Sequence, residues 1–452
     1  MLRDRLRLWF SFDIPVDRRT YLTNGVALMA VKYAVDAAAI WFVAGKVWTP
    51  LDYFNPLLTV RLEVLRAAPP WLGPALIVLA LPFLWIGVSM SARRAVDAGR
   101  SPWLALLFFV PVVNYLLMAV LSALPSQSTF RWPVEPPAPQ VDERLKSALL
   151  GVAATIGITL ATVAVGVYLR RAYSPGLFLG APFTIAYSSA HIYNRRRSCS
   201  TGETLVVGLA SVLIAGGAVI LFALEGAVCT IMALPVAAAV AVPGALLGRA
   251  LAIRALGPAA GPGAFALLAP LLVLIEPRQT PAPRDVVSTI EIDAPPAVVW
   301  RYVVQFPELP APREWLFRAG IAAPVGARIE GAGVGAVRYC DFTTGSFVEP
   351  VIAWEEGRLL AFAITDQPPP MRELSPYGAI HAPHLDGYFR ATYGEFRLEE
   401  LPGYRTRLVG TTRFAVDMFP QMYWQWFANQ IVEAIHQRVL GHIQRLAEEG
   451  RP

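Results

Sequence analysis

The feature that most constrains this chain is a change of solvent near residue 276. Before it, apolar runs recur at lengths that cross a bilayer; after Pro277 the pattern is that of a water-soluble α+β domain. The 452 residues are 55% hydrophobic and only 16% charged, against roughly 25% charged in ordinary globular domains, so much of the surface must meet lipid. Charge divides at the same place. Residues 1–276 carry 22 Lys+Arg and 13 Asp+Glu, whereas 277–452 carry 17 and 20. The basic excess belongs to membrane loops, where it contacts headgroups and sets orientation, and it is no sign of nucleic-acid binding.

Six runs read as spans, near 24–45, 71–91, 102–123, 147–167, 204–224 and 228–248. Two shorter segments, 177–194 with Gly180-Ala-Pro182 and 264–275 with Pro270, read as re-entrant, interfacial or spanning. With six spans and the N-terminus inside, 17 Lys and Arg fall in cytoplasmic loops and six in external ones, which places both termini in the cytoplasm. Crossing by both shorter segments erases that bias yet leaves the C-terminal domain inside; crossing by one alone exports it. Residues 1–19 are charged and amphipathic with no cleavage site, so the first span reads as a retained anchor.

Polar residues within the apolar runs are few. Lys32 and Asp36 lie four apart on one helical face, where each neutralises the other in lipid. Arg93, Arg94, Asp97 and Arg100 sit at a span end, where arginines snorkel to phosphates and an Asp pairs with a guanidinium. Glu225 is close to another span end, and the second membrane region, 131–276, is Ala/Gly/Val-rich from residue 147 on, which suits close helix packing in lipid. Cys199, Cys229 and Cys340 are far apart and form no CxxC pair, so neither a disulfide framework nor a thiolate zinc site is indicated, and no cofactor is expected.

Asp17-Arg-Arg-Thr-Tyr21, Ala92-Arg-Arg-Ala-Val-Asp-Ala-Gly-Arg-Ser-Pro-Trp103 and Pro111 resemble the bacterial membrane domain-of-unknown-function family 805 over residues 1–130. Val96 stands where that family often has His. The resemblance implies a bacterial inner-membrane setting and supplies no chemistry.

The chain beyond a short Pro-bearing linker at 277–286 forms a domain at 287–449. Its first strand, 287–292, runs through Ala294-Pro-Pro296 into a helix that buries Val299, Tyr302 and Val303. Further strands are expected at 327–330, 336–342, 347–354, 359–365, 393–399 and 406–414, with glycines punctuating them. Trp424, Phe427, Ile431, Ile435, Val439, Ile443 and Leu446 then make the apolar stripe of a long terminal helix.

This order, with its Ile292-Asp-Ala-Pro-Pro-x-x-Val-Trp300 opening, resembles the START-like helix-grip superfamily (SRPBCC), which includes lipid-transfer domains and polyketide cyclases. The resemblance implies an antiparallel sheet around the terminal helix, enclosing a hydrophobic or lipid-like small molecule. It says little about reaction.

The densest chemical cluster is Tyr377-Gly-Ala-Ile-His381-Ala-Pro-His384-Leu-Asp386-Gly387-Tyr388. His with a carboxylate can run acid/base chemistry, and two His with Asp can begin a metal site. Pro383 argues against one helix aligning both imidazoles, and Asp386-Gly387 is also an ordinary turn signal, so a structural turn and pocket contacts both stay open. Cys340, Asp341 and Glu349 are further ligand-binding candidates on neighbouring strands, while His436 and His442 flank the terminal stripe. Three functions follow: binding, transfer or sensing of an apolar molecule by a cytoplasmic domain; a cyclase/dehydrase-type enzyme with His381, His384 or Asp386 as acid/base; or a membrane scaffold.

Overall fold

The computed structural model describes residues 2–12, 14–54, 68–69, 71–110, 113–126, 143–195, 199–222, 224–254, 268–276, 280–376, 378 and 380–449. The chain forms two compact units, Met1–Glu276 with Ser375–Ile380, and Pro277–Leu374 with His381–Pro452. The first is helical: α1 (Leu2–Phe10), α2 (Arg18–Ala44), α3 (Pro50–Phe54), α4 (Leu72–Asp97), α5 (Val113–Ala123), α6 (Glu143–Val163), α7 (Ala181–Asn194), α8 (Thr201–Leu221), α9 (Ala227–Ile253) and α10 (Leu268–Ile275). Five described helices, lying within α2, α4, α6 with its π-helical extension, α8 and α9, are long and apolar enough to cross a membrane, and the chain is a multi-pass membrane protein.

Local chemistry sets their ends. Asp17 caps α2 by accepting from the Thr20 amide at 2.8 Å, and Gly45 in the left-handed region closes it. Ser200 and Glu203 form a capping box at the start of α8.

The run at 102–123 is two pieces rather than one span. A 3-10 segment (Pro102–Phe109) leaves the end of α4, and α5 returns to it: Arg94 donates to the Leu124 carbonyl and the Ser126 hydroxyl lies 2.6 Å from Asp97. The segment 177–194, by contrast, is continuous. A π turn (Gly176–Gly180) runs straight into α7, and the helix continues through Pro182 just after that wider turn.

Eleven of the fourteen α7 residues are buried, which makes it the central helix of this unit. Glycines let α9 reach it. A Cβ on Gly244 would stand 2.5 Å from the Phe183 carbonyl oxygen, and one on Gly248 2.3 Å from that of Tyr187. This small-xxx-small spacing is the close packing that the composition led us to expect.

Lys32 and Asp36 form the expected ion pair. The arginines at the end of α4 do not snorkel. Arg93 donates to the Leu8 and Ile14 carbonyls at 2.6 and 2.9 Å, and Arg94 pairs with Asp97 at 2.6 Å; both are buried. Carbonyls at the ends of α1 and α5 lack intrahelical donors, and these guanidiniums supply them.

The second unit is an α+β helix-grip fold. Its elements are β1 (Arg284–Ile292), α11 (Pro296–Val304), α12 (Trp315–Arg318), β2 (Pro324–Glu330), β3 (Val337–Phe342), β4 (Gly345–Glu355), β5 (Leu359–Ala363), β6 (Phe389–Leu401), β7 (Arg405–Val416) and α13 (Gln421–Glu449). The antiparallel sheet has the order β1-β7-β6-β5-β4-β3-β2, so consecutive strands are neighbours except for β1, which closes onto β7. Every expected strand is present, and β1 begins three residues early, inside the expected linker. Gly357 and Gly403, both with positive φ, turn the β4–β5 and β6–β7 connections.

The core lies between the sheet and α13. Ile292, Val299, Trp300, Val303, Leu360, Leu408, Leu440 and Ile443 are among its residues. The deepest face of α13 runs through Ala428, Val432, Val439, Leu440, Ile443 and Ala447, while Phe427, Ile431, Ile435 and Leu446 flank it half-buried. Small alanines bring the helix close, so the buried line is rotated from the stripe of large side chains.

Candidate functional site

Strand register decides which side chains face the interior. Arg338 pairs with Glu349, Cys340 with Phe347, and Ala327 on β2 with Cys340, so these residues share the side of the sheet that Val351, Leu360 and Phe362 also line. Asp341, one residue on, faces the other way. It bonds the Ser346 hydroxyl and lies 3.7 Å from Arg328.

The centre of this inner face is an ion pair between Arg338 and Glu349, 1% and 5% exposed. Three rings surround the guanidinium, with centroids 5.2 Å (Phe362), 5.6 Å (Phe396) and 5.8 Å (Phe306) from its central carbon. Burial pushes the Glu349 carboxyl upward while Arg338 opposes it. Burial, reinforced by Glu349, lifts the Cys340 thiol to about 12, so it is no thiolate nucleophile at neutral pH. The Nε of Arg338 has no hydrogen-bond partner among the described residues. Phe342, Phe347 and Phe396 keep partial exposure although their register turns them inward.

The 381–388 cluster separates into two pairs. His381 Nε2 lies 2.8 and 2.9 Å from the two Asp386 carboxylate oxygens, and both side chains are largely in solvent. His384 is buried, its Nε2 3.1 Å from the carboxylate of Glu373, which is buried as well. A short 3-10 turn (Pro383–Leu385) performs the separation by putting the two imidazoles on different sides. Tyr388 is buried, and its carbonyl accepts from the Asp417 amide at 2.7 Å. Tyr377 lies outside the described residues.

The helix histidines are tied down. His436 reaches from α13 to the sheet, with Nδ1 3.0 Å from the Ser288 hydroxyl and Nε2 2.8 Å from that of Thr412. Burial holds it neutral, with a pKa lowered to about 4. The Nε2 of His442 lies 3.2 Å from the Pro307 carbonyl, and its ring meets Phe306 edge-on.

The sequence reading missed Arg338 and Glu373. Arg338 stands two residues before Cys340 and so shares its face, but a lone Arg in a strand is usually solvated. Only the register opposite Glu349 shows that it is inside. Glu373 lies in a long connection with no periodicity to assign it.

Comparison with known proteins agrees with this architecture. Residues 9–130 match the family model "Protein of unknown function (DUF805)", and residues 283–448 match "Polyketide cyclase / dehydrase and lipid transport". No curated protein matches the sequence. Similar solved structures include norcoclaurine synthase from Thalictrum flavum (11% identity, 39% of this chain and 100% of that one, TM-score 0.26). Others are the Zhui aromatase/cyclase from Streptomyces sp. R1128 (16%, 37% and 93%, TM-score 0.24) and protein CV1439 from Chromobacterium violaceum (15%, 36% and 96%, TM-score 0.23). The C-terminal unit thus has the START-like helix-grip fold, and residues 9–130 resemble the DUF805 family.

Proposed function

We propose that the second unit binds a hydrophobic or lipid-like small molecule against the inner face of its sheet, under α13, for transfer or sensing at the membrane. One observation carries this reading. Inward-turned Phe342, Phe347 and Phe396 retain exposure around a sealed Arg338–Glu349 pair, so the inner face presents an accessible apolar wall. Membrane lipids are the nearest source of amphipathic ligand.

A cyclase/dehydrase-type enzyme is the second reading, favoured by the raised carboxyl of Glu349, the kind of shift that general acids show. Photo-crosslinking of the full chain in membranes with a diazirine fatty acid tests the first. Adducts should map to peptides carrying Phe342, Phe347 or Phe396. Adducts confined to the membrane helices would refute it.

A further inference from the structure

We infer that the second unit lies on the side of the membrane opposite the N-terminus. The sequence alone placed both on one side, because it counted 102–123 as a crossing.

Hydrogen bonds within the first unit fix which helix ends share a face. At one face, the near one, the start of α2 meets the ends of α4 and α5. Tyr21 bonds Ser91 at 2.8 Å, Arg18 donates to the Ser122 carbonyl at 2.8 Å, and Ser126 bonds Asp97. The end of α2 meets the start of α4 at the far face, where Ile40, Trp48 and Leu72 pack together. The 3-10 segment and α5 therefore leave the near face and return to it: Phe108 packs against Gly87, ten residues up α4 from Asp97, and Leu124 is back beside Arg94. This hairpin is re-entrant and adds no crossing.

Residues 125–142 hold five prolines with Arg131, Glu135 and Asp142, a composition that makes no apolar span, so α6 starts from the near face. From there the crossings alternate. Thr155 on α6 bonds Ser189 on α7, antiparallel to it, and Asn194 at the end of α7 bonds Thr204 at the start of α8. The 19 residues 176–194 span about 28 Å as a helix, the thickness of a bilayer core. At the end of α8, the Leu224 carbonyl accepts from Tyr168 and Glu225 from Tyr173, at the far face. Arg249 near the end of α9 donates to the Cys199 carbonyl beside the start of α8, at the near face. Glu276 is back at the far face, its carbonyl accepting from Arg170 at 2.6 Å. Whatever path 255–267 take, the chain passes from near to far between Arg254 and Glu276. Seven crossings result, an odd number.

Charge supports this independently. Residues 1–19, 93–100, 131–146, 195–197 and 249–254 place sixteen Lys and Arg at the near face, and 46–66 and 170–171 place five at the far face. Were 125–142 to cross instead, the bias among the remaining loops would fall to ten against eight. By the positive-inside rule the near face is cytoplasmic, so the second unit is extracytoplasmic. If the binding reading holds, its ligand comes from the outer leaflet or the space beyond it.

The test uses the full chain carrying, after Pro452, either a phosphatase active only outside the cytoplasm or a fluorescent protein that matures only inside. Phosphatase activity without fluorescence is expected. Membrane-impermeant maleimide should also label Tyr404→Cys, on the exposed β6–β7 turn, in intact cells, and Arg100→Cys only after permeabilisation. Fluorescence without phosphatase activity, or Tyr404→Cys labelled only after permeabilisation, overturns the inference. That outcome leaves the binding reading untouched, since crosslinking at Phe342 or Phe396 does not depend on sidedness.

Discussion

Arg338 and Glu349 stand opposite each other on β3 and β4, and their side chains form an ion pair inside the helix-grip fold with almost no access to water. Two buried charges repay their desolvation only as a pair, and removal of one strands the other. Glu349→Ala should destabilise the fold by about 3–5 kcal/mol, whereas the double change Arg338→Met, Glu349→Leu should cost much less. Chemical denaturation followed by tryptophan fluorescence, which reports Trp300 and Trp354 beside this core, measures both. A single variant as stable as the parent would mean that the pair is not sealed.

His436 makes stability depend on pH. Its folded pKa, about 4, lies below the unfolded value of 6.5, so the unfolded chain takes up a proton first as pH falls. The stabilisation is complete above pH 6.5 and declines as pH drops toward 4, by on the order of 3 kcal/mol in all. Denaturation midpoints between pH 7 and 4 should fall in the parent and fall less steeply in His436→Gln. Equal slopes would remove His436 as the cause.

Glycines hold the membrane unit together where α9 meets α7. Gly248→Ala sets a methyl group against the Tyr187 carbonyl, while Gly217→Ala on α8 meets nothing within 4 Å. The first should lower the melting temperature in detergent. The second should leave it unchanged or raise it, since Ala favours helix over Gly by up to about 1 kcal/mol.

The two histidine pairs should separate under substitution. His381→Gln breaks a solvent-facing pair and should change stability by less than about 1 kcal/mol. His384→Gln disturbs a buried contact with Glu373 and should cost about 1–3 kcal/mol. Parallel melting curves of the two variants check the difference; matching shifts would mean that His384 is no more buried than His381.

Much of this fold was legible because it rests on periodicity. Alternation found all seven strands, and the Ala294-Pro-Pro296 opening placed α11. Periodicity also misled where two segments broke their own pattern. Residues 102–123 are apolar enough for a span, yet they form a 3-10 segment and a separate short helix, and Pro182 looked like an interruption although the helix runs through it. The candidate site was half legible. Cys340 and Glu349 were picked as neighbours, but their partner Arg338 emerges only from register, and Glu373 reaches His384 only through a long connection that no local pattern specifies.

The second unit, on the proposed function, holds an apolar molecule on the sheet face that carries Arg338. Native mass spectrometry of the full chain, purified in mild detergent, reads it directly when followed by release and identification of bound small molecules. A lipid-like species should remain bound to the parent protein at near one per chain and be largely lost from Arg338→Met, Glu349→Leu, with denaturation confirming that the double variant is folded. A parent protein that carries no such molecule, or a folded variant that carries it equally well, would contradict the account.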